Sequence, residues 1–101
     1  MDPTEVIDRP EWLRGRSLEE VMGLITAGES WRTEVLRRGS AAGAGWVLRQ
    51  YDSDGQPTGR MIRWHPGGGH HGPGPYWRVT SPEGGRSAAL SAGAGSGTMT
   101  P

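Results

Sequence analysis

Hydrophobic positions along the chain recur first at helical and then at strand spacing. Leu18, Val21, Met22 and Ile25 fall on one stripe of a helix expected over residues 18–27. Ser17 opens that segment and Glu20 follows three places on. This is the spacing of a capping box, in which the hydroxyl accepts a backbone N–H and the carboxylate returns a bond. Gly28 is a natural stop. From Trp31 the period shortens to two: Trp31, Thr33 and Val35 alternate with Arg32, Glu34 and Leu36, which suits a half-polar strand, a short helix being the competing reading. Residues 46–51 have strand composition, and residues 52–59 are dense in turn formers and read as a hairpin connection. Residues 60–65 form the next strand, and residues 76–81 the last clear one. Between them, residues 66–75 are too rich in Gly for regular structure.

One helix followed by antiparallel strands predicts an α+β domain. The N-terminal helix packs on one face of a small antiparallel sheet of three to five strands, and the open face carries the site. Residues 1–16, with Pro3 and Pro10, read as an entry segment from which Trp12 and Leu13 pack back on the body. The folded domain is expected over residues 17–86. Residues 87–101 are a Gly-, Ala- and Ser-rich tail with almost nothing to bury, expected to be disordered, although Ala88, Ala89 and Leu90 offer a short final strand.

Strand alternation sorts the side chains by face. Ile62, Trp64, Trp77 and Val79 belong under the helix. Arg63, His65, Tyr76, Arg78 and Thr80 then share the opposite surface, provided the two strands are neighbours. Charge sharpens this picture. Eleven basic and eleven acidic side chains cancel, and every base is Arg. The acids lie mostly early, and after Asp54 only Glu83 remains, whereas Arg60, Arg63, Arg78, Arg86 and all three His follow Gly55. A basic surface inside a neutral chain suits a polyanion. Cys is absent, which excludes disulfides and thiolate metal sites. No apolar run approaches the roughly 20 residues that span a membrane. The polar, acidic start is no signal peptide, so an export address would lie elsewhere, as in the terminal module of a longer polypeptide.

This residue set suits RNA cleavage, which moves a proton off a 2′-hydroxyl and another onto the leaving oxygen. An imidazole does either task, and His65, His70 and His71 lie within seven positions. Arg63 and Arg78 supply permanently charged forks for a phosphate, with Arg60 and Thr80 as further substrate contacts. Tyr76 stacks a base or donates its hydroxyl. Glu34 is a second acid/base and substrate contact if the first strand presents its polar side to the same face. The chemistry calls for no metal or cofactor. The three His could instead chelate a transition metal, although no Cys or Asp lies near them.

Residues 45–49, 58–68, 70–72 and 75–82 together resemble the C-terminal toxin modules of bacterial polymorphic toxins, of the Rhs and contact-dependent kinds. The most specific piece is Arg63, Trp64, His65, Pro66, Gly67 and Gly68, followed by Pro75, Tyr76, Trp77, Arg78 and Val79. The helix-then-sheet order is similar to the fold shared by barnase, the EndoU nucleases, colicin-type tRNases and RelE-like mRNA interferases. The resemblance implies a metal-independent endoribonuclease acting on tRNA, rRNA or mRNA. It implies delivery as the C-terminal part of a larger secreted toxin, action in the target-cell cytoplasm, and a cognate immunity protein bound one to one to an otherwise monomeric chain. It carries over Arg63, His65, His70, His71, Tyr76 and Arg78 as site residues. Two alternatives stand beside it: a non-catalytic module that binds nucleic acid or protein, and a metal-dependent DNase using the His cluster.

Overall fold

Large apolar side chains at alternate positions of the strands, a tryptophan on each of the first four, demand a common side on which to bury, and they organise the sheet. In the computed structural model, which describes residues 1–26, 28–35, 45–67 and 74–93, six strands form one antiparallel sheet: β1 (Trp31–Val35), β2 (Trp46–Tyr51), β3 (Pro57–His65), β4 (Tyr76–Ser81), β5 (Gly85–Arg86) and β6 (Leu90–Ser91). The order is β1-β2-β3-β4-β5, with β6 also pairing β4. The α+β architecture is as expected, with a larger sheet. Opposite Trp77 of β4 stand Trp64 of β3 and Leu90 of β6, while Ile62 stands between Leu48 and Val79. Trp31, Leu48, Ile62, Trp77, Val79 and Leu90 accordingly line one buried face. Trp46 meets Trp77 edge to face at 6.0 Å, the geometry that ring quadrupoles favour.

Three short helical elements cover that face. They are α1 (Pro3–Asp8), a 3₁₀ turn (Pro10–Leu13) and α2 (Leu18–Leu24). Residues 1–16 are therefore a structural layer and not an entry segment: Val6 and Leu13 are completely buried in the core. The two prolines start elements instead of breaking them, because Pro at the first helical turn forfeits only an N–H that has no partner there. Asp2 and Glu5 form the full capping box of α1. At α2 only half of one exists, since Ser17 Oγ accepts from the Glu20 amide at 3.1 Å while the Glu20 carboxylate pairs with Arg16. That helix ends at Leu24; Val21 is buried, whereas Met22, expected on the same stripe, is exposed.

The packed unit also reaches beyond residue 86. Leu90 is buried, Ser91 accepts from the Gly15 amide at 2.7 Å, and the Gly93 amide donates to the Arg16 carbonyl at 2.8 Å. The Trp77 indole donates to that same carbonyl at 2.9 Å. Residues 90–93 thus close over the junction between the 3₁₀ turn and α2, on a carbonyl that also fixes the largest core side chain. No helix among the described residues is long and apolar enough to cross a membrane.

Candidate functional site

The residues that alternate away from the helices form the open face, and the register fixes their order. Three rows of side chains run across the strands. One holds His65 opposite Tyr76. The next holds Glu34, Val47, Arg63 and Arg78, each opposite its neighbour on the adjoining strand. The third holds Arg32, Arg49, Met61, Thr80 and Arg86. Neighbouring strands lie about 4.8 Å apart and successive rows about 7 Å apart. Five guanidinium groups, on Arg32, Arg49, Arg63, Arg78 and Arg86, therefore share this face with one carboxylate, Glu34, among the described residues.

The sequence-derived set Arg63, His65, Tyr76, Arg78 and Thr80 is brought together here, and Glu34 joins it in the same row as Arg63 and Arg78. Arg60 is not part of it. It sits on the helix-facing side, where its guanidinium pairs with Glu83 at 2.9 Å and with the Gln50 amide oxygen at 3.3 Å, beside Ile7 and Asp8. Strand alternation itself puts it there, since residue 60 has the parity of Ile62 and Trp64 and not that of Arg63; a two-residue register shift between β2 and β3 falls beside it, around residues 58–60. His70 and His71 lie outside the described residues. Among those described, no three His, Cys, Asp or Glu side chains gather as metal ligands.

His65 is held from two sides. Its ring stacks on Tyr76 with centroids 4.9 Å apart and planes 16° from parallel. Its Nδ1 accepts the Gly67 amide at 2.9 Å. Gly67 has φ of 94°, the left-handed region open to glycine, which turns that amide back onto the ring. With Nδ1 an acceptor, the neutral ring carries its proton on Nε2. His65 is therefore set to donate through Nε2, and to act as a base it would have to surrender its present bond. Tyr76 in turn lies under Arg78, at 6.0 Å from guanidinium carbon to ring centre.

The electrostatics of the face are strained at Arg63. Partial burial, and then the charges of Arg86, Arg78 and Arg49, push its guanidinium below the usual arginine range, against which Tyr76 acts weakly. Its Nε and the Thr80 hydroxyl are both buried without a hydrogen-bond partner. At the other edge, Glu34 is restrained. The Tyr51 hydroxyl donates to it, and Arg49 Nε stands 3.3 Å from it as an ion pair. The hydrogen bond to Glu34, with partial desolvation, raises Tyr51 above its ordinary 10.0. Arg32 lies over the Tyr51 ring at 4.8 Å.

Sequence reasoning left out Arg32, Arg49, Tyr51 and Arg86 from this surface. Parity within β2 was available for Arg49 and Tyr51, since both alternate against Leu48. For Arg86 no signal existed, because a two-residue strand has no period to read. No family model, curated protein or solved structure matches the chain.

Proposed function

We propose that the open face binds RNA and cleaves it, and that the chain is a metal-independent endoribonuclease toxin of the polymorphic-toxin type. The observation that carries this reading is the placement of the His65–Tyr76 stack one row from the Arg63–Arg78 pair, with Glu34 in line with that pair on the same surface. Glu34 lies two strands from His65, about 10 Å across the sheet and one row along it, which leaves room for a phosphodiester between them. Glu34 takes the proton of a 2′-hydroxyl, whose oxygen attacks phosphorus. Arg63 and Arg78 hold the phosphate as its negative charge grows. The bond to the 5′-oxygen breaks, and an imidazolium protonates that oxygen, leaving a 2′,3′-cyclic phosphate and a 5′-hydroxyl. His65 fills that role once Nδ1 takes a proton and releases Gly67. His70 and His71 are the alternative donors. Tyr76 stacks a base.

The cellular setting follows from the resemblance: delivery at the C-terminus of a larger secreted toxin, action in the target-cell cytoplasm, and neutralisation by an immunity protein. An acidic partner would complement the arginine face. The test is incubation with total RNA and with tRNA in the presence of EDTA, with products examined for cyclic phosphate ends. Wild type is expected to release discrete fragments, and Arg78→Ala to cut about 10²- to 10³-fold more slowly. No cleavage of either RNA by wild type ends the nuclease reading.

One observation favours the non-catalytic alternative. His65 Nδ1 is already engaged, which suits an imidazole that orients a ligand as well as one that moves protons. Stoichiometric, salt-sensitive RNA binding without turnover is the outcome that selects it.

A further inference from the structure

Three cationic side chains crowd around an unsatisfied hydroxyl at the edge of the sheet. Arg63 and Arg78 are directly opposed on β3 and β4, and Thr80, two residues on from Arg78 along the same face, is opposed by Arg86 of β5. Like charges facing each other across strands destabilise a sheet. No ion pair relieves Arg63 or Arg86 among the described residues. Arg63 Nε and Thr80 Oγ1 are buried without hydrogen-bond partners. Buried donors without acceptors are costly, and a compact anion supplies what Arg63 and Thr80 lack.

We infer that Thr80, Arg63 and Arg86, with Arg78 alongside, form a second phosphate subsite, one side-chain row beyond the phosphate held between His65 and Arg63–Arg78. It rests on the proposed reading only in naming the ligand as a nucleic-acid strand. The row spacing of about 7 Å is close to the separation of adjacent phosphates in an extended single strand. A flat sheet face with one stacking platform suits single strands, whose bases can splay onto it. The preferred substrate is thus single-stranded and carries a phosphate next to the one cleaved. Thr80 Oγ1 and Arg63 Nε bind non-bridging oxygens, and Arg86 closes the subsite from solvent.

The test separates the subsite from the chemistry by using strands that cannot be cut. Binding of a 2′-O-methyl dinucleotide, with one phosphate, is compared with that of the trinucleotide, with two, by fluorescence anisotropy. Wild type is expected to bind the trimer about tenfold more tightly, the worth of one well-made set of charged hydrogen bonds. Arg86→Gln should remove most of that gain and lower the salt slope of trimer binding by about 0.7, the value of one phosphate contact on a single strand. Thr80→Val, which keeps the shape of the side chain, should reduce the gain severalfold while leaving the tryptophan near-UV circular dichroism unchanged. A 2′-deoxy trimer should show the same gain, because the subsite reads phosphate and not ribose. Equal binding of dimer and trimer by wild type overturns the inference, as does a gain that survives Arg86→Gln or is confined to the 2′-O-methyl strand. Absence of RNA cleavage with the trimer gain intact removes the nuclease reading and leaves the subsite standing. Cleavage indifferent to the second phosphate does the reverse.

Discussion

Single residues on the open face are set close to like charges at some cost to the fold. Arg63 is the clearest case, being half-buried beside Arg78 and Arg86. Arg63→Met keeps most of the packing and removes the repulsion, so the variant is expected to melt at a higher temperature than wild type while losing RNA cleavage about 10²-fold or more. Differential scanning fluorimetry beside a cleavage assay checks both, and a lower midpoint would show that Arg63 stabilises the sheet. Tyr51 gives the opposite case. Its hydroxyl, bonded to Glu34, has a raised pKa, so the folded state favours the neutral phenol. That contribution to stability is complete below the ordinary value of 10.0 and is lost as pH climbs through the raised folded value. Tyr51→Phe should therefore be less stable than wild type at neutral pH, and the gap should narrow above pH 10. Denaturant midpoints of both proteins at pH 7 and at pH 11 measure this, and a gap independent of pH would assign Tyr51 a packing role alone.

At the level of elements, the strands were legible and the first layer was not. β2 coincides with its expected range on composition, a run of Trp, Val and Leu that ends in Tyr, and β4 because Trp77 and Val79 alternate there with Arg78 and Thr80, burial of one face enforcing that period. The open face followed from the same alternation once β3 and β4 were taken as neighbours. Charge alone singles out Arg60, although the same alternation puts it with Ile62 and Trp64 on the helix-facing side. The packing of Leu13 on the body was anticipated, but the helices of residues 3–13 were not, because each is only a few residues long, too short to show a periodic stripe, and because Pro3 and Pro10 stand at helix starts. Ala88, Ala89 and Leu90 did indicate a final strand, but nothing in the sequence could say that it would lock the helical layer. That lock is sterically tight. A Cβ on Gly93 would stand 2.4 Å from the Gly15 carbonyl oxygen, backbone that cannot swing aside. Gly93→Ala is expected to cost about 2 kcal/mol or to detach β6, seen as a lower denaturant midpoint and faster exchange of the Gly15 amide. Ser17→Ala, which removes the cap of α2, should cost about 1 kcal/mol. A wild-type midpoint in Gly93→Ala would mean that the closure contributes nothing to stability.

Over the molecule as a whole, a chain with no net charge is divided into two unlike sides. Among the described residues, the sheet carries five arginines against Glu34, while the helical layer exposes Asp2, Glu5, Asp8, Glu11, Glu19 and Glu20 against Arg9, Arg14 and Arg16. Net charge is the wrong descriptor of such a protein, because a polyanion responds to the near surface and a Debye length of about 8 Å hides the far one. Association with RNA should accordingly weaken steeply with salt despite a pI near 6.8. Arg49→Gln and Arg86→Gln should each flatten that dependence, whereas Arg14→Gln on the helical side should leave it unchanged. Equal effects at all three positions would indicate attraction without a preferred side. The separated charges of the described residues also set up a dipole aimed through the sheet. In the field of a polyanion such a dipole would feel a torque before contact, so that, on the proposed reading, encounters would begin with the arginines leading and the glutamates trailing.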